Sequence, residues 1–448
     1  MSKIIIPPSF DKLINKFNKK GELIDIINKT EGIKNNSEYQ KWDKIYYKNK
    51  KIENAEKEWL AIKFLRKQLF RKIDLLENES FNLIINNVIL QRLHQIDKKA
   101  GGNIGIIEDG VIDRDNQQRY LIHSLISEES ISSAQLEGAA TTTKIARKML
   151  NKESSPRNKS EKMIINNYFL MKEAINSKDK ELSPGLILKF HKLAINGVAE
   201  NNAIAGKFRN TNDITVSEIN TGNTLWTPPC FTQIEKHIQS LSDFANKKHE
   251  SENDFIHPVV KAIILHFMIG YIHPFNDGNG RVARAVFYWF MLKSGYWLFE
   301  YISISKSLKE APSQYTKSFQ YVETDENDLT YFIDYHTKII LKSLDSLTKY
   351  IHKKEEEFIK FNLMLNNSKI NNKLNFRQIE ILKTIYKSPG KTFTVKEIKN
   401  KFSVAENTAR KDLKIFTKMG FLVERRTHKS KFDYIALNIR DILEENIK

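Results

Sequence analysis

Two apolar segments flank a short polar loop in the middle of the chain, and this arrangement constrains the fold more than any other feature. Residues 254–272 and 281–297 are apolar on most sides of a helical turn, which is typical of helices buried in a core. Between them lies HPFNDGNGR, residues 273–281, with two of the 17 glycines found in 448 residues. The pattern predicts two packed core helices joined by a loop with unusual backbone geometry.

Composition narrows the class of protein. The chain is long enough for roughly two or three domains, and its net charge of +18 favours nucleic acids, nucleotides or acidic partners. A Lys-rich genome would produce the same charge with no function attached, so both explanations stay open. Cys230 is the only cysteine, which excludes an internal disulfide and a cysteine metal cage. No stretch reaches the roughly 20 apolar residues of a membrane span, so we expect a cytoplasmic protein without membrane contact.

The N-terminal part of the chain is predicted to be helical over residues 1–110. Within it, residues 57–76 carry apolar side chains at three- and four-residue steps, which indicates an amphipathic helix. Residues 97–116 contain four glycines and lack a helical period, so we expect a boundary loop there. The central domain is expected over residues 111–355, and its first helix over about 117–138.

Two further features belong to the central domain. Residues 206–229 are rich in β-branched residues and turn formers, which predicts a short β-hairpin or extended flap. Residues 328–366 end in a charged run and predict a long helix that could link two domains.

Residues 370–448 are predicted to form a winged helix-turn-helix domain. Two S/T-x-x-E sequences, beginning at Thr394 and Ser403, are typical capping boxes at helix starts. The alternating pattern of residues 421–437 around a THKS turn predicts a two-stranded wing.

This C-terminal segment is strongly basic. From residue 371 on it holds 18 Lys and Arg against nine Asp and Glu. Contact with DNA phosphates would use basic side chains on the second helix and the wing: Arg410, Lys411, Lys414, Arg425, Arg426 and Lys429. Winged helices also dock proteins with solvated basic faces, and this alternative stays open.

The residues of HPFNDGNGR suit phosphate chemistry. His273 ends an apolar helix and can act as a general base, because its ordinary pKa of about 6.5 lies near cellular pH. Asp277 is a lone carboxylate of the kind that suits Mg²⁺, which completes its shell with water and phosphate oxygens. Gly278 and Gly280 let the backbone approach an anion at a helix start.

Two arginines complete the pattern. Arg281 and Arg284 stand three residues apart on one helical face, where they can clamp further phosphate oxygens. The alternative, a plain turn with a buried histidine, explains neither the glycine pair nor the arginines. Together these parts predict phosphoryl or nucleotidyl transfer.

The segment HPFNDGNGRVAR, residues 273–284, resembles the signature of Fic-domain proteins, H-x-F-x-D/E-G-N-G-R-x-x-R, at every fixed position. The resemblance covers roughly residues 110–350 and includes GKFR, ITV and TPP in the flap region. It implies a mainly α fold, with a Fic-type helical core and a short β-hairpin flap beside the C-terminal winged helix. It also implies transfer of AMP from ATP to a Ser, Thr or Tyr hydroxyl of a target protein.

The resemblance assigns roles to single residues. His273 would be the base and Asp277 the Mg²⁺ ligand. The nucleotide phosphates would be bound by Gly278, Asn279, Gly280, Arg281 and Arg284, and Tyr315 would line the adenine pocket. The flap residues Ile214, Thr215 and Val216 would hold the target main chain. Relatives that act as kinases carry lysine in place of Gly280, so glycine favours nucleotidyl transfer.

A second motif lies upstream of the core. Ser133, Glu137 and Gly138 match the inhibitory helix motif of the family, S/T-x-x-x-E-G/N. Alone the match would be weak, because many surface helices place Ser and Glu four apart. On this resemblance Glu137 pairs with Arg284 and blocks productive ATP binding, which predicts autoinhibition within one chain.

Three alternatives stay open at the level of function. The Fic core could serve a DNA-binding regulator as a nucleotide sensor, although the intact His273 and Asp277 argue against this. The enzyme could instead transfer another nucleotide, or it could remove AMP from a modified protein. The resemblance further implies a homodimer, and the target protein is not identified by the sequence.

Overall fold

The computed structural model of the chain describes residues 4–28, 38–77, 79–101, 126–152, 155–217, 222, 224–366, 374–428 and 431–439. Most of these residues lie in helices, so the predicted mainly α fold class is confirmed. Across these ranges no helix combines the length and the apolar character that a bilayer span requires.

The N-terminal region combines helices with a β-hairpin that the sequence analysis did not predict. The elements are α1 (Phe10–Lys19), α2 (Leu23–Asn28), α3 (Trp42–Lys48), α4 (Ile52–Leu69), the antiparallel strands β1 (Arg71–Leu76) and β2 (Glu79–Leu83), and α5 (Asn87–Ala100). The predicted helix over residues 57–76 is therefore wrong beyond Leu69. Ile73 and Leu75 are buried on either side of the exposed Asp74, which is the period of a strand rather than a helix.

The predicted boundary loop over residues 97–116 is also corrected at its start. Residues 97–100 are the last turn of α5, where Asp97 accepts hydrogen bonds from His257 and from Tyr296. These contacts with distant residues explain why the helix continues further than the sequence pattern indicates. Residues 102–116 lie outside the described residues.

The centre of the molecule is a pair of buried helices, as the sequence predicts. The surrounding elements are α6 (residues 126–136), α7 (Thr143–Lys152), α8 (Lys159–Asn176), α9 (Pro184–Ile195), α10 (Ile234–Asn246), α11 (Pro258–Ile272), α12 (Asn279–Lys293), α13 (Ile304–Glu310), α14 (Pro312–Thr324) and α15 (Thr330–Asn366). The central pair is α11 and α12, which pack on each other and are buried along nearly their whole length. α8 and α9 pack against α12, and α10 and α15 pack against α11.

α6 lies between the central pair and a smaller apolar cluster. Ile131 and Ala134 of α6 belong to the cluster formed with α7 and α8. Gly138, in the turn after the helix, has a φ of 93°, and the Ala139 N–H donates to Ala134 O at 2.9 Å. This is the hydrogen bond of a helix closed by a left-handed glycine. Of the helix predicted over about 117–138, residues 117–125 lie outside the described residues.

The C-terminal region has a core of its own. Its elements are α16 (Phe376–Lys387), β5 (Thr392–Thr394), α17 (Val395–Phe402), α18 (Glu406–Lys418), β6 (Leu422–His428) and β7 (Lys431–Ala436), and the sheet order is β5-β7-β6. Thr394 caps α17 as predicted, but Ser403 does not cap α18. Ser403 has a left-handed backbone, φ 51°, at the end of α17, and Ala405 precedes α18 without a side-chain cap. Lys429 of the predicted wing lies outside the described residues.

Candidate functional site

His273 lies where α11 ends and the central loop begins. Its backbone is left-handed, with φ 48° and ψ 59°, and its Nδ1 is 3.2 Å from Gly270 O. A proton on Nδ1 satisfies this contact and leaves Nε2 as an acceptor. Burial lowers the pKa of His273 to about 4. At neutral pH the imidazole is therefore uncharged and able to accept a proton.

Two glycines lie where the loop meets α12. Gly278 precedes the helix, and Gly280 is in its first turn. Gly278 has a φ of 89°, and a Cβ there would lie 2.7 Å from Ile195 Cγ2. The Asn279 side chain bonds to both main-chain groups of Phe275, at 3.0 and 2.7 Å, so it fixes the loop. The first N–H groups of a helix have no partner inside that helix, which makes the start of α12 suited to an anion.

Asp277 and Arg281 form an ion pair at the edge of this anion site. Arg281 donates to Asp277 Oδ1 at 2.8 Å and to Ala194 O at 2.7 Å. The second carboxylate oxygen of Asp277 accepts the Glu200 N–H at 3.2 Å. Arg281, predicted as a phosphate ligand, is only 2% exposed, and in this structure it holds Asp277.

The carboxylate of this loop that could hold a metal ion is Asp277. In the described ranges, His, Cys, Asp and Glu side chains form no group of three suited to metal binding. Mg²⁺ does not require one, since it uses one or two carboxylates and takes its other oxygens from water and phosphates. The Asp277 side chain is 17% exposed, and each of its oxygens accepts one hydrogen bond, so the residue fits this ion.

Glu137 and Arg284 meet directly above the start of α12. Arg284 is 1% exposed and donates to Glu137 Oε1 at 2.8 Å and to Ser133 Oγ at 2.9 Å. A Cβ added to Gly280 would lie 2.3 Å from the same Glu137 oxygen and 3.1 Å from a second Arg284 nitrogen, Nη1. Nη1 has no hydrogen-bond partner among the described residues. The carboxylate therefore occupies the space over Gly280.

The electrostatics of Glu137 match an anion in a positive site. The Glu137 side chain is 29% exposed. Partial burial favours the neutral acid, but the nearby Arg284 and Arg281 outweigh it and hold the pKa of Glu137 below its ordinary value. The group is thus a carboxylate at neutral pH, and it offers the arginine the same kind of oxygen that a phosphate would.

Two residues that the sequence analysis did not single out hold the loop in place. His191 of α9 stacks on Phe275 with ring centroids 3.7 Å apart, and its Nε2 is 3.0 Å from Asp277 O. Arg209 donates to His273 O at 2.9 Å and to Pro229 O. Arg209 is the arginine of the GKFR sequence noted in the flap region. His191 has no comparable local signal.

The flap is present as a short hairpin at the side of this site. β3 (Val216–Ser217) pairs with β4 (Thr224–Trp226), and the Trp226 indole donates to Tyr271 O at 3.0 Å. Ile214 and Thr215 precede β3, so of the three predicted docking residues only Val216 lies in a strand.

Tyr315, the predicted adenine contact, lies on α14 beside the Arg284 end of the site. Its hydroxyl is 2.8 Å from Nε2 of the buried His266. Burial raises the pKa of Tyr315 to about 12, so the phenol stays neutral.

Parts of the chain are similar in sequence to known proteins. The Fic/DOC family matches residues 181–291. A protein adenylyltransferase Fic of Nematostella vectensis is 29% identical over 92 residues, which are 20% of this chain and 19% of that protein. A protein adenylyltransferase fic-1 of Caenorhabditis elegans is 27% identical over 128 residues, 29% of this chain and 23% of that protein. The matched segments thus span about a fifth of these relatives.

Two solved structures of Fic proteins are similar to parts of this chain. A Fic family protein from Desulfovibrio desulfuricans G20 has 15% identity and a TM-score of 0.49, covering 79% of this chain and 97% of that one. Fic-1 from C. elegans has 17% identity and a TM-score of 0.44, covering 79% of this chain and 90% of that one.

Proposed function

Since residues 181–291 belong to the Fic/DOC family, we propose that the chain is an autoinhibited protein adenylyltransferase. It transfers AMP from ATP to a Ser, Thr or Tyr hydroxyl of a target protein. Relatives named protein adenylyltransferase support the chemistry. The observation that carries the proposal is the Glu137 carboxylate, which lies over Gly280 and binds Arg284. A carboxylate there occupies a position that suits a nucleotide phosphate.

In the proposed reaction, the target hydroxyl oxygen attacks the α-phosphorus of ATP. The bond from that phosphorus to the oxygen bridging the β-phosphate breaks, and pyrophosphate leaves. His273 accepts the hydroxyl proton at Nε2, because Nδ1 is directed to Gly270 O. The N–H groups at the start of α12 and the Arg284 guanidinium bind the phosphate oxygens.

Asp277 would hold Mg²⁺, which when bound neutralises charge on the nucleotide phosphates. Arg281 keeps the Asp277 carboxylate in place through its 2.8 Å contact, and His191 holds the main chain of the same residue.

Target docking is assigned to the flap, and adenine binding to Tyr315. Among the described residues β3 pairs only with β4, so its other edge can accept an extended target segment by strand addition. Ile214, Thr215 and Val216 would line that edge, and Tyr315 would contact the adenine ring on the other side of Arg284.

Glu137 accounts for the proposed inhibition. Its carboxylate and an ATP phosphate would compete for the Arg284 guanidinium, and two anions repel each other in so small a space. Removal of AMP from a modified target is a second activity that the same carboxylate could support by orienting a water molecule, and transfer of another nucleotide would use the same phosphate contacts.

The decisive experiment is incubation of purified full-length protein with labelled ATP and Mg²⁺, followed by detection of label on the protein and on lysate proteins. We expect Glu137→Gly to transfer more label than the unmodified chain, and His273→Ala to transfer none. Competition with unlabelled GTP, CTP and UTP identifies the preferred nucleotide, and mass spectrometry of labelled proteins identifies the target. If Glu137→Gly incorporates no more label than His273→Ala, the proposal is wrong.

A second candidate function, binding of duplex DNA, is favoured by the C-terminal region. Its exposed side chains include a basic group on α18 and on β6: Arg410, Lys411, Lys414, Lys418 and Arg425. Helices preceded by a tight turn and followed by a β-hairpin can present such side chains to phosphates. Electrophoretic mobility shift with a random-sequence duplex, repeated with ATP and with Glu137→Gly, tests whether this region binds DNA and whether the Fic site influences it.

A further inference from the structure

α6, together with the turn that follows it, faces α12 at positions spaced four residues apart on both segments. The facing pairs, from the inhibitory end, are Glu137 with Gly280, Ser133 with Arg284, and Glu129 with Tyr288. The order of the pairs means that the two helices run antiparallel. Two helical turns separate the third pair from the first, a distance of about 12 Å. Glu129 is therefore too far from Gly280 to contact a nucleotide there, and its link to the Glu137 carboxylate is the position of α6.

Glu129 is the most enclosed carboxylate of this helix face. It is 1% exposed and accepts hydrogen bonds from Tyr288 Oη at 2.9 Å, Ser303 Oγ at 2.8 Å and the Ser305 N–H at 3.1 Å. The Ser305 hydroxyl donates to its other oxygen. Burial of a carboxylate is costly and raises the pKa of Glu129, so these donors are needed to keep the group inside the protein.

The opposite face of α6 is held differently. Ile131 and Ala134 pack into the apolar cluster with α7 and α8, and such contacts depend little on the exact rotation of the helix. Hydrogen bonds depend strongly on distance and angle. The polar face thus sets the register of α6, whereas the apolar face keeps the helix attached.

From this arrangement we infer that Glu129 is a positioning residue for inhibition. Its bonds to Tyr288, Ser303 and Ser305 hold α6 in the register that places the Glu137 carboxylate over Gly280. The inference rests on the proposed function, and it adds a residue outside the Ser133–Gly138 motif that determines how completely the site is blocked.

The test compares Glu129→Ala and Glu129→Gln in two backgrounds, with Glu137 present and with Glu137→Gly. With Glu137 present, we expect Glu129→Ala to raise the initial rate of AMP transfer about tenfold, because several hydrogen bonds to a charged group are lost. Glu129→Gln keeps the shape and part of the bonding, so its rate should lie between those of the unmodified chain and Glu129→Ala. With Glu137→Gly, neither substitution should change the rate.

Glu128→Gln is the matched control. It removes a carboxylate from the adjacent position, where Glu128 contacts Arg147 and Lys306 rather than α12. We expect it to leave the rate unchanged in both backgrounds.

ATP binding supplies a readout that does not depend on catalysis. In full-length His273→Ala protein, Glu129→Ala should tighten the binding of Mg²⁺-ATP, and it should have no effect once Glu137 is glycine. If Glu137→Gly transfers no AMP while this difference in binding persists, the proposed function fails and the positioning role of Glu129 stands.

Two results overturn the inference. One is an unchanged rate and ATP affinity for both Glu129 variants when Glu137 is present. The other is an equal loss of activity in both backgrounds with a lowered Tm, which would make Glu129 an ordinary part of the core. If Glu129→Ala does not fold, Glu129→Gln decides between these results.

Discussion

Positive charge is buried at the start of α12 and exposed on α18 of the C-terminal region, and the two arrangements have different consequences. Arg284 is 1% exposed and has a carboxylate partner at 2.8 Å. Lys411 and Lys414 are exposed on α18. A buried charge interacts strongly with one neighbour, while exposed charges are screened by salt and each contributes little. Single substitutions should therefore act sharply at the start of α12 and gradually on α18.

The largest effect is expected from Arg284→Ala in the Glu137→Gly background. Loss of this guanidinium should lower the initial rate of AMP transfer by about 10²–10³-fold, the usual effect of removing one preorganised phosphate or oxyanion contact. Arg157→Ala, which removes an arginine with 74% side-chain exposure, is the control and should leave the rate unchanged. If Arg284→Ala lowers the initial rate by less than about threefold, the buried arginine contributes no more than an exposed one and the comparison fails.

A smaller effect is expected when a glycine in the backbone of the anion site is replaced by alanine. Gly278 and Gly295 both have positive φ, 89° and 86°, but only at Gly278 would a Cβ meet another atom within 4 Å. Both alanine variants should lose stability from backbone strain. Gly278→Ala should lose about 1–3 kcal/mol more because of the contact with Ile195. Urea unfolding of the two proteins measures the difference, and equal midpoints would show that the loop relaxes around a methyl group.

The protonation of the buried His273 imidazole gives a further test of the difference between buried and exposed groups. Its pKa of about 4 in the folded state lies below the ordinary 6.5, so the unfolded chain binds the proton more readily. The contribution of His273 to stability is therefore present above about pH 6.5 and is lost as pH falls towards 4. NMR titration of the imidazole, assigned with His273→Ala, should give a midpoint near 4. A midpoint near 6.5 would mean that the site is open to water.

The smallest effects belong to the exposed lysines of α18. If the region binds duplex DNA, Lys411→Ala and Lys414→Ala should each reduce the slope of log affinity against log salt by roughly 0.9. Glu406→Gln should act in the opposite direction, since Glu406 pairs with Arg410 at 2.9 Å. Fluorescence anisotropy with a labelled duplex between low and moderate salt measures these slopes. A slope that does not change in any variant would exclude α18 from the contact.

Much of the candidate site could be predicted from the sequence because its parts are close together in the chain. His273 to Arg284 form one loop and one helix start, so the spacing alone places the base, the carboxylate and the glycines near each other. The two apolar segments likewise predicted α11 and α12, since a helix without a polar face must be buried.

The N-terminal hairpin could not be predicted in the same way. Residues 57–76 carry a helical pattern into Ile73 and Leu75, and the choice of strand depends on pairing with residues 79–83. The strand β5 also depends on pairing with a distant segment, since Phe393 pairs with Tyr434, 41 positions later. Long-range pairing overrides local preference in such segments.

The sequence by itself determined which groups can perform phosphate chemistry and which helices form the core. It also motivates the winged helix, the homodimer and the cytoplasmic location, which stay predictions. Only the tertiary structure brought His191 and Arg209 onto the loop, set Arg281 on Asp277, and placed Glu129 against Tyr288. The physical reason is that charge, hydrogen-bonding capacity and periodicity are properties of residues along the chain. Which buried donor meets which acceptor depends on how separate helices pack.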